Sequence, residues 1–101
     1  MIGEALRLLR IFNGHKSAEL AEKLEISQSY VSEIENNKKQ PTMEILDKYA
    51  TVFDMKKSTL LLFAESLETD DVIQKNQKQK VALAGMKLLK ILEKVGRLED
   101  E

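Results

Sequence analysis

Residues 17–41, SAELAEKLEISQSYVSEIENNKKQP, constrain this chain more than any other stretch. Apolar residues recur at Leu20, Ala21 and Leu24, and again at Val31 and Ile34, the spacing of two short amphipathic helices. A tight turn at Glu25–Ile26 has to join them. Elsewhere only Pro41 and four glycines punctuate the chain, and no stretch alternates with period two. An all-helical fold follows.

The remaining helices are placed by the same spacing. Helix 1 covers Ile2 to Phe12, with Ile2, Ala5, Leu6, Leu9 and Phe12 inward, and Asn13-Gly14 ends it. Helix 2 runs from Ser17 to Leu24, and Ile26 plugs the core from the turn. Helix 3 starts at Ser27, whose hydroxyl can cap a free backbone N–H, and ends near Asn36-Asn37. Helix 4 follows Pro41 with Thr42 as its cap and buries Ile45, Leu46, Tyr49, Ala50 and Phe53. Helix 5 runs from about Ser58 to Leu67. Its run Leu60 to Phe63 is apolar nearly all round, which implies burial on more than one side. The four methionines read as core filler.

The character changes after Glu68, which divides the chain into residues 1–68 and an extension, 69–101. Thr69-Asp70-Asp71 reads as a helix start, with acids at the positive end of the dipole. Gln74 to Lys80 is wholly polar, either a solvated helix face or a linker. From Val81 a stripe appears at spacings of three and four: Val81, Ala84, Leu88, Ile91, Val95 and Leu98. Leu89 and Leu92 widen it. Such a stripe packs on the N-terminal domain or on a second copy. The surplus apolar surface of helix 5 favours a dimer seam. Gly85 reads as a close-packing position and Gly96 as a helix stop.

Composition narrows the function. Hydrophobic residues make up 43% of the 101 residues, enough for one small core, and there is no cysteine. A disulfide framework and a Cys-based metal site are therefore excluded. The single histidine, His15, leaves no His-pair metal site, so no metal or cofactor is expected. His15 reads as an exposed or phosphate-near loop residue. No apolar run reaches the length of a membrane helix and no signal-peptide core precedes the domain, so a cytoplasmic protein is expected. Net charge is −1. That argues against non-specific coating of nucleic acid but leaves room for a specific binder with a local basic patch. Glu65 and Glu68 lack an accompanying nucleophile and base, and no Gly-rich phosphate loop is present, so nothing supports an enzyme.

Helix 3 carries the chemistry. At 100° per residue, Gln28, Ser29, Ser32, Glu33 and Asn36 share one side, while Val31 and Ile34 share the other. A merely solvated face more often carries Lys and Glu. This one offers short amides and hydroxyls, suited to reading base edges. Helices 2 and 3 form a helix-turn-helix whose second helix has the character of one that enters a DNA major groove.

Five pieces together resemble the Cro/repressor-type (XRE-like) DNA-binding domain, a lambda-repressor-like five-helix fold. They are Leu6-Arg7-x-x-Arg10, Glu19-Leu20-Ala21, Ser27-Gln28-Ser29-Tyr30-Val31-Ser32, Ile34-Glu35-Asn36 and Lys38-Lys39-x-Pro41. The resemblance covers residues 2–67. It implies base contacts from Gln28, Ser29, Ser32 and Glu33, with Gln28 reading adenine through its bidentate amide. It implies phosphate contacts from Lys16, Ser17, Tyr30, Asn36, Lys38 and Lys39. It implies a structural ion pair between Arg10 and Glu35. The expected function is a transcriptional regulator, a repressor, whose homodimer reads a near-palindromic operator in double-stranded DNA. The alternative is an antitoxin or adaptor whose segment 69–101 binds a partner protein.

The chain departs from the family at three places. Lys16-Ser17 stands where the family commonly has Ser-Gln, and Lys16 cannot accept a backbone N–H. Glu25 stands where the turn usually carries Gly, which predicts a strained left-handed residue. Asn37 replaces another usual Gly and tolerates that conformation better.

Overall fold

A computed structural model describes residues 2–68 and 75–99, with the side chains of the last helix as far as Val95. Its elements are α1 (Ile2–Phe12), α2 (Ser17–Leu24), α3 (Gln28–Glu35), α4 (Met43–Val52), α5 (Lys57–Ser66) and α6 (Gln77–Glu99). The described residues contain helices and no strands, as the spacing predicts. None of these helices is long and apolar enough to cross a membrane.

The caps follow local chemistry. Ser27 Oγ accepts the Tyr30 N–H at 3.0 Å, and Thr42 Oγ1 accepts the Ile45 N–H at 3.1 Å. Lys16 precedes α2 and offers no acceptor. Instead Glu19 Oε1 reaches back to the Lys16 N–H at 3.0 Å, half of a capping box. Glu25 ends α2 at φ 60°, ψ 41°, the left-handed conformation expected there. Its strain is offset in part by backbone bonds that close the turn: Glu25 N–H to Glu22 O and Ile26 N–H to Ala21 O.

α1 is central. Ala5, Leu6, Leu8 and Leu9 are fully buried, and α3, α5 and α6 all pack against the helix. Leu8 lies off the stripe read from sequence, yet it is fully buried on a helix against which three others pack. Leu20, Leu24, Val31, Ile34, Tyr49, Leu60 and Phe63 complete the core.

Several expectations need correction. Leu60 and Phe63 are buried, but Leu61 and Leu62 are exposed although α5 has α1, α4 and α6 around it. α6 continues through Gly96 to Glu99, so Gly96 is no helix stop. A Cβ on Gly85 would meet only the Phe12 ring at 3.8 Å, an ordinary contact, so close packing does not demand glycine there. Met43 and Met86 are exposed rather than core filler. The polar run is divided, with Gln77–Lys80 inside α6. The helix start expected at Thr69–Asp71 lies outside the described residues.

The stripe expected to join two copies is spent largely inside the chain. Ala84 and Leu88 are buried in the common core, and Val81 and Ile91 pack against it. Phe12 and Phe63, whose ring centroids are 6.5 Å apart, belong to the same apolar cluster. Val95 is half-buried beside Leu62 and Ser66. The Leu98 side chain lies outside the described residues.

Gly3 permits a close approach of α1 to the end of α3. Its N–H donates to Asn37 Oδ1 at 3.1 Å. An added Cβ would fall against the Ile34 carbonyl oxygen and 2.8 Å from the Glu35 carbonyl oxygen, both backbone atoms. Gly3→Ala is therefore expected to lower stability by about 1–3 kcal/mol through overpacking. Denaturant unfolding of the two chains, read at constant m-value, checks this.

Candidate nucleic-acid interface

α3 is eight residues long, and its inward side is held by Val31 and Ile34, both fully buried. Gln28, Ser29, Ser32 and Asn36 are exposed on the other side, so the polar face read from sequence is bare. Glu33 on its edge is half-buried. Lys38 and Lys39 are exposed in the loop that follows, and Tyr30 is half-buried on the flank.

Within this face the side chains are not equally free. Gln28 Nε2 donates to Ser17 Oγ at 3.0 Å, tying the start of α3 to the start of α2. That bond uses one of two amide hydrogens. The other hydrogen and the Oε1 acceptor remain, and these are what a bidentate contact to adenine requires. Asn36 turns inward along its own helix, with Nδ2 donating to the Ser32 carbonyl at 2.9 Å and lying 3.4 Å from Ser32 Oγ. Glu33 is paired with Lys39 at 3.5 Å. Lys16 is exposed and Ser17 half-buried at the start of α2, on the Gln28 side of the motif.

The Arg10–Glu35 pair fixes how α3 sits. Arg10 Nε and Nη2 donate to the two Glu35 carboxylate oxygens at 2.7 and 3.0 Å, a bidentate bridge. Arg10 Nη1 also donates to the His15 carbonyl at 3.1 Å. One guanidinium thus joins α1, the loop before α2 and the end of α3. Only 18% of the Arg10 side chain and 7% of the Glu35 side chain are exposed. The hydrogen bond to Glu35 raises the Arg10 pKa above its ordinary value despite the opposing effect of burial, so the guanidinium stays charged. Tyr49 lies nearby with a buried hydroxyl, and burial pushes its pKa up and keeps it neutral. His15 is neither fully exposed nor free. It stacks on Phe53 with centroids 6.4 Å apart.

Two features of the site were missed by reading the sequence. Gly3 was not recognised as a contact to the end of α3. Its signal was a glycine among good helix formers at the start of a helix. The Ser17–Gln28 bond was also missed. It joins residues eleven apart, which helical periodicity does not address.

The family model described as a helix-turn-helix matches residues 6–60, which hold the motif and the clamp behind it. The chain belongs to this family. SinR of Bacillus licheniformis, an HTH-type transcriptional regulator, is 37% identical over 71 residues, covering 69% of this chain. The match spans 64% of that relative's length, so the chain corresponds to less than two thirds of it. A solved structure of SinR, the master regulator for biofilm formation, in complex with DNA matches at 39% identity and TM-score 0.57. That match covers 60% of this chain and 98% of the other. A solved complex of SinR and SinI proteins matches at 25% identity and TM-score 0.57, covering 100% of both chains. The lambda-repressor-like domain with a helical extension agrees with these helix-turn-helix structures.

Removing one partner of the buried bridge leaves the other charge uncompensated. Glu35→Ala is expected to cost about 3–5 kcal/mol in thermal or denaturant unfolding. The joint replacement Arg10→Met, Glu35→Leu is expected to be clearly more stable than Glu35→Ala. A double variant no more stable than the single would show that the clamp acts by something other than charge pairing.

Proposed function

We propose that this chain is a sequence-specific DNA-binding transcriptional regulator, a repressor, with α3 as the helix that enters the major groove. The bare Gln28–Ser29–Ser32 face, held from behind by Arg10–Glu35, carries this reading. The complex of SinR with DNA supports it by kinship. Gln28 supplies the main discrimination through its free amide edge, and Ser29 and Ser32 read loosely, because a hydroxyl both donates and accepts. Ser17 carries an acceptor-and-donor hydroxyl that holds Gln28 and donates to phosphate. Lys16, Tyr30 and Lys38 supply further backbone contacts. Asn36 contributes through its exposed edge while its amide holds Ser32. A cytoplasmic location and the absence of enzymatic activity belong to the same reading.

Residues 1–68 form the DNA-binding unit in this proposal, and residues 69–101 the extension that docks on it. As a homodimer, two copies of α3 would stand about 34 Å apart over a near-palindromic operator. The stripe Val81, Ala84, Leu88, Ile91 serves the chain's own core, so pairing would use the outer side of α6. That side carries Met86, Leu89 and Leu92, which are 58%, 69% and 38% exposed. These exposed side chains also favour the second reading, in which the extension binds a partner protein. The SinR–SinI complex is its precedent.

Two measurements test these readings. With a duplex enriched from a random pool, Gln28→Ala is expected to lose about 1–3 kcal/mol of preference over scrambled DNA, measured by titration at fixed salt. A Gln28→Ala variant that binds the enriched and scrambled duplexes just as the parent does would remove Gln28 as the reader. Leu89→Glu is expected to convert a dimer to a monomer in sedimentation or light scattering without loss of helix. A parent chain that is already monomeric would favour a separate protein partner.

A further inference from the structure

Lys39 differs from the other basic residues near α3 because three parts of the chain hold it. Asn37 adopts φ 59°, and this left-handed residue folds the chain back over the end of the helix. The N–H groups of Lys38 and Lys39 then both donate to the Glu33 carbonyl, at 2.8 and 3.2 Å. The Lys39 ammonium comes to lie 3.5 Å from a Glu33 carboxylate oxygen and 5.8 Å from the centre of the Tyr30 ring. Tyr30 and Glu33 are three residues apart, so they share one flank of α3, and the lysine lies across both.

This arrangement fits poorly with Glu33 as a base reader. A carboxylate only accepts, and one of its oxygens is turned to Lys39. It also sits where phosphates approach, and a bare carboxylate repels them. Paired, the two side chains present no net charge. Resting on the DNA-reading role of α3, we propose that Glu33 is a positioning residue that masks Lys39. It holds the ammonium over Tyr30 and withholds one phosphate contact, so that affinity for DNA of any sequence is lowered while base readout by Gln28 is untouched. The pair is solvent-accessible, with 58% of the Lys39 side chain and 36% of the Glu33 side chain exposed. Substitution there removes the mask without disturbing the core.

The test uses the full chain as parent, Glu33→Gln, Lys39→Gln and the double variant. Each is titrated with the enriched duplex and with scrambled DNA between 50 and 200 mM salt. Glu33→Gln is expected to bind both duplexes more tightly by the same factor. Its log–log salt slope is expected to steepen by about 0.9, one further phosphate contact. Lys39→Gln alone is expected to weaken both duplexes by the same factor, because it leaves the Glu33 carboxylate bare, and the double variant is expected to return to the parent slope. Without DNA, the ring of Tyr30 is expected to displace the Lys39 ε-methylene proton signal upfield in the parent, and this displacement is expected to vanish in Glu33→Gln. The proposal is overturned if Glu33→Gln weakens the enriched duplex alone and changes preference at one base pair. It is overturned equally if Glu33→Gln leaves the slope unchanged, or if the methylene displacement survives in Glu33→Gln. Should the parent bind no duplex at low salt, the DNA-binding reading fails, and the methylene signal still decides whether Glu33 holds Lys39.

Discussion

The bidentate bridge from Arg10 to Glu35 is the interaction on which the geometry of the site depends. α3 has eight residues and puts only Val31 and Ile34 fully into the core. A helix of that length has little stability of its own in water. Its outer face buries nothing, so its orientation has to be imposed from behind. Arg10 does this at the end of α3, and the same guanidinium holds the His15 carbonyl before α2. Gly3 and Asn37 add a second tie at that end of the helix. A buried pair of this kind contributes little net stability against an apolar substitute. What it supplies is a fixed angle between α1 and α3.

The opposite end of α3 is held differently. Ser17 and Gln28 join the first residues of α2 and α3 through a single exposed hydrogen bond. Such a bond is worth little in stability, because water competes for it. It restricts the Gln28 amide, and a side chain already restricted loses less entropy when it binds a partner. The C-terminal end of α3 is thus set by charge and close packing, and its N-terminal end by a weak polar contact. Charge follows the same division. The net charge of −1 hides a local arrangement in which Lys38 is exposed and the Lys39 ammonium lies 3.5 Å from a Glu33 carboxylate oxygen.

The extension has two apolar sides. One, from Val81 to Ile91, closes the core over α1 and α5. The other, with Met86, Leu89 and Leu92, faces solvent. A helix that is apolar on both sides has more surface to bury than one domain provides. The stripe looked like a seam between copies because of its spacing and the surplus apolar surface of α5. Periodicity identifies which residues share a face, and it carries no information about which body lies against that face.

The helices of the N-terminal domain, their caps and the inward residues were legible in the sequence because each is a local matter. Ser27 and Thr42 cap through hydroxyls three residues from their targets, and stripes such as Leu20–Ala21–Leu24 follow from 3.6 residues per turn. Glu25 and Asn37 were legible as left-handed positions only through the family resemblance, because they stand where glycine is usual. The Arg10–Glu35 pair came from family resemblance, since twenty-five residues separate its members. The burial of Leu8, the tie from Gly3 to Asn37, the Ser17–Gln28 bond and the docking of α6 on its own core were decided only by the tertiary structure. Each depends on the angle and distance at which separate helices meet, and that is fixed by the packing of the whole core rather than by any local run of residues.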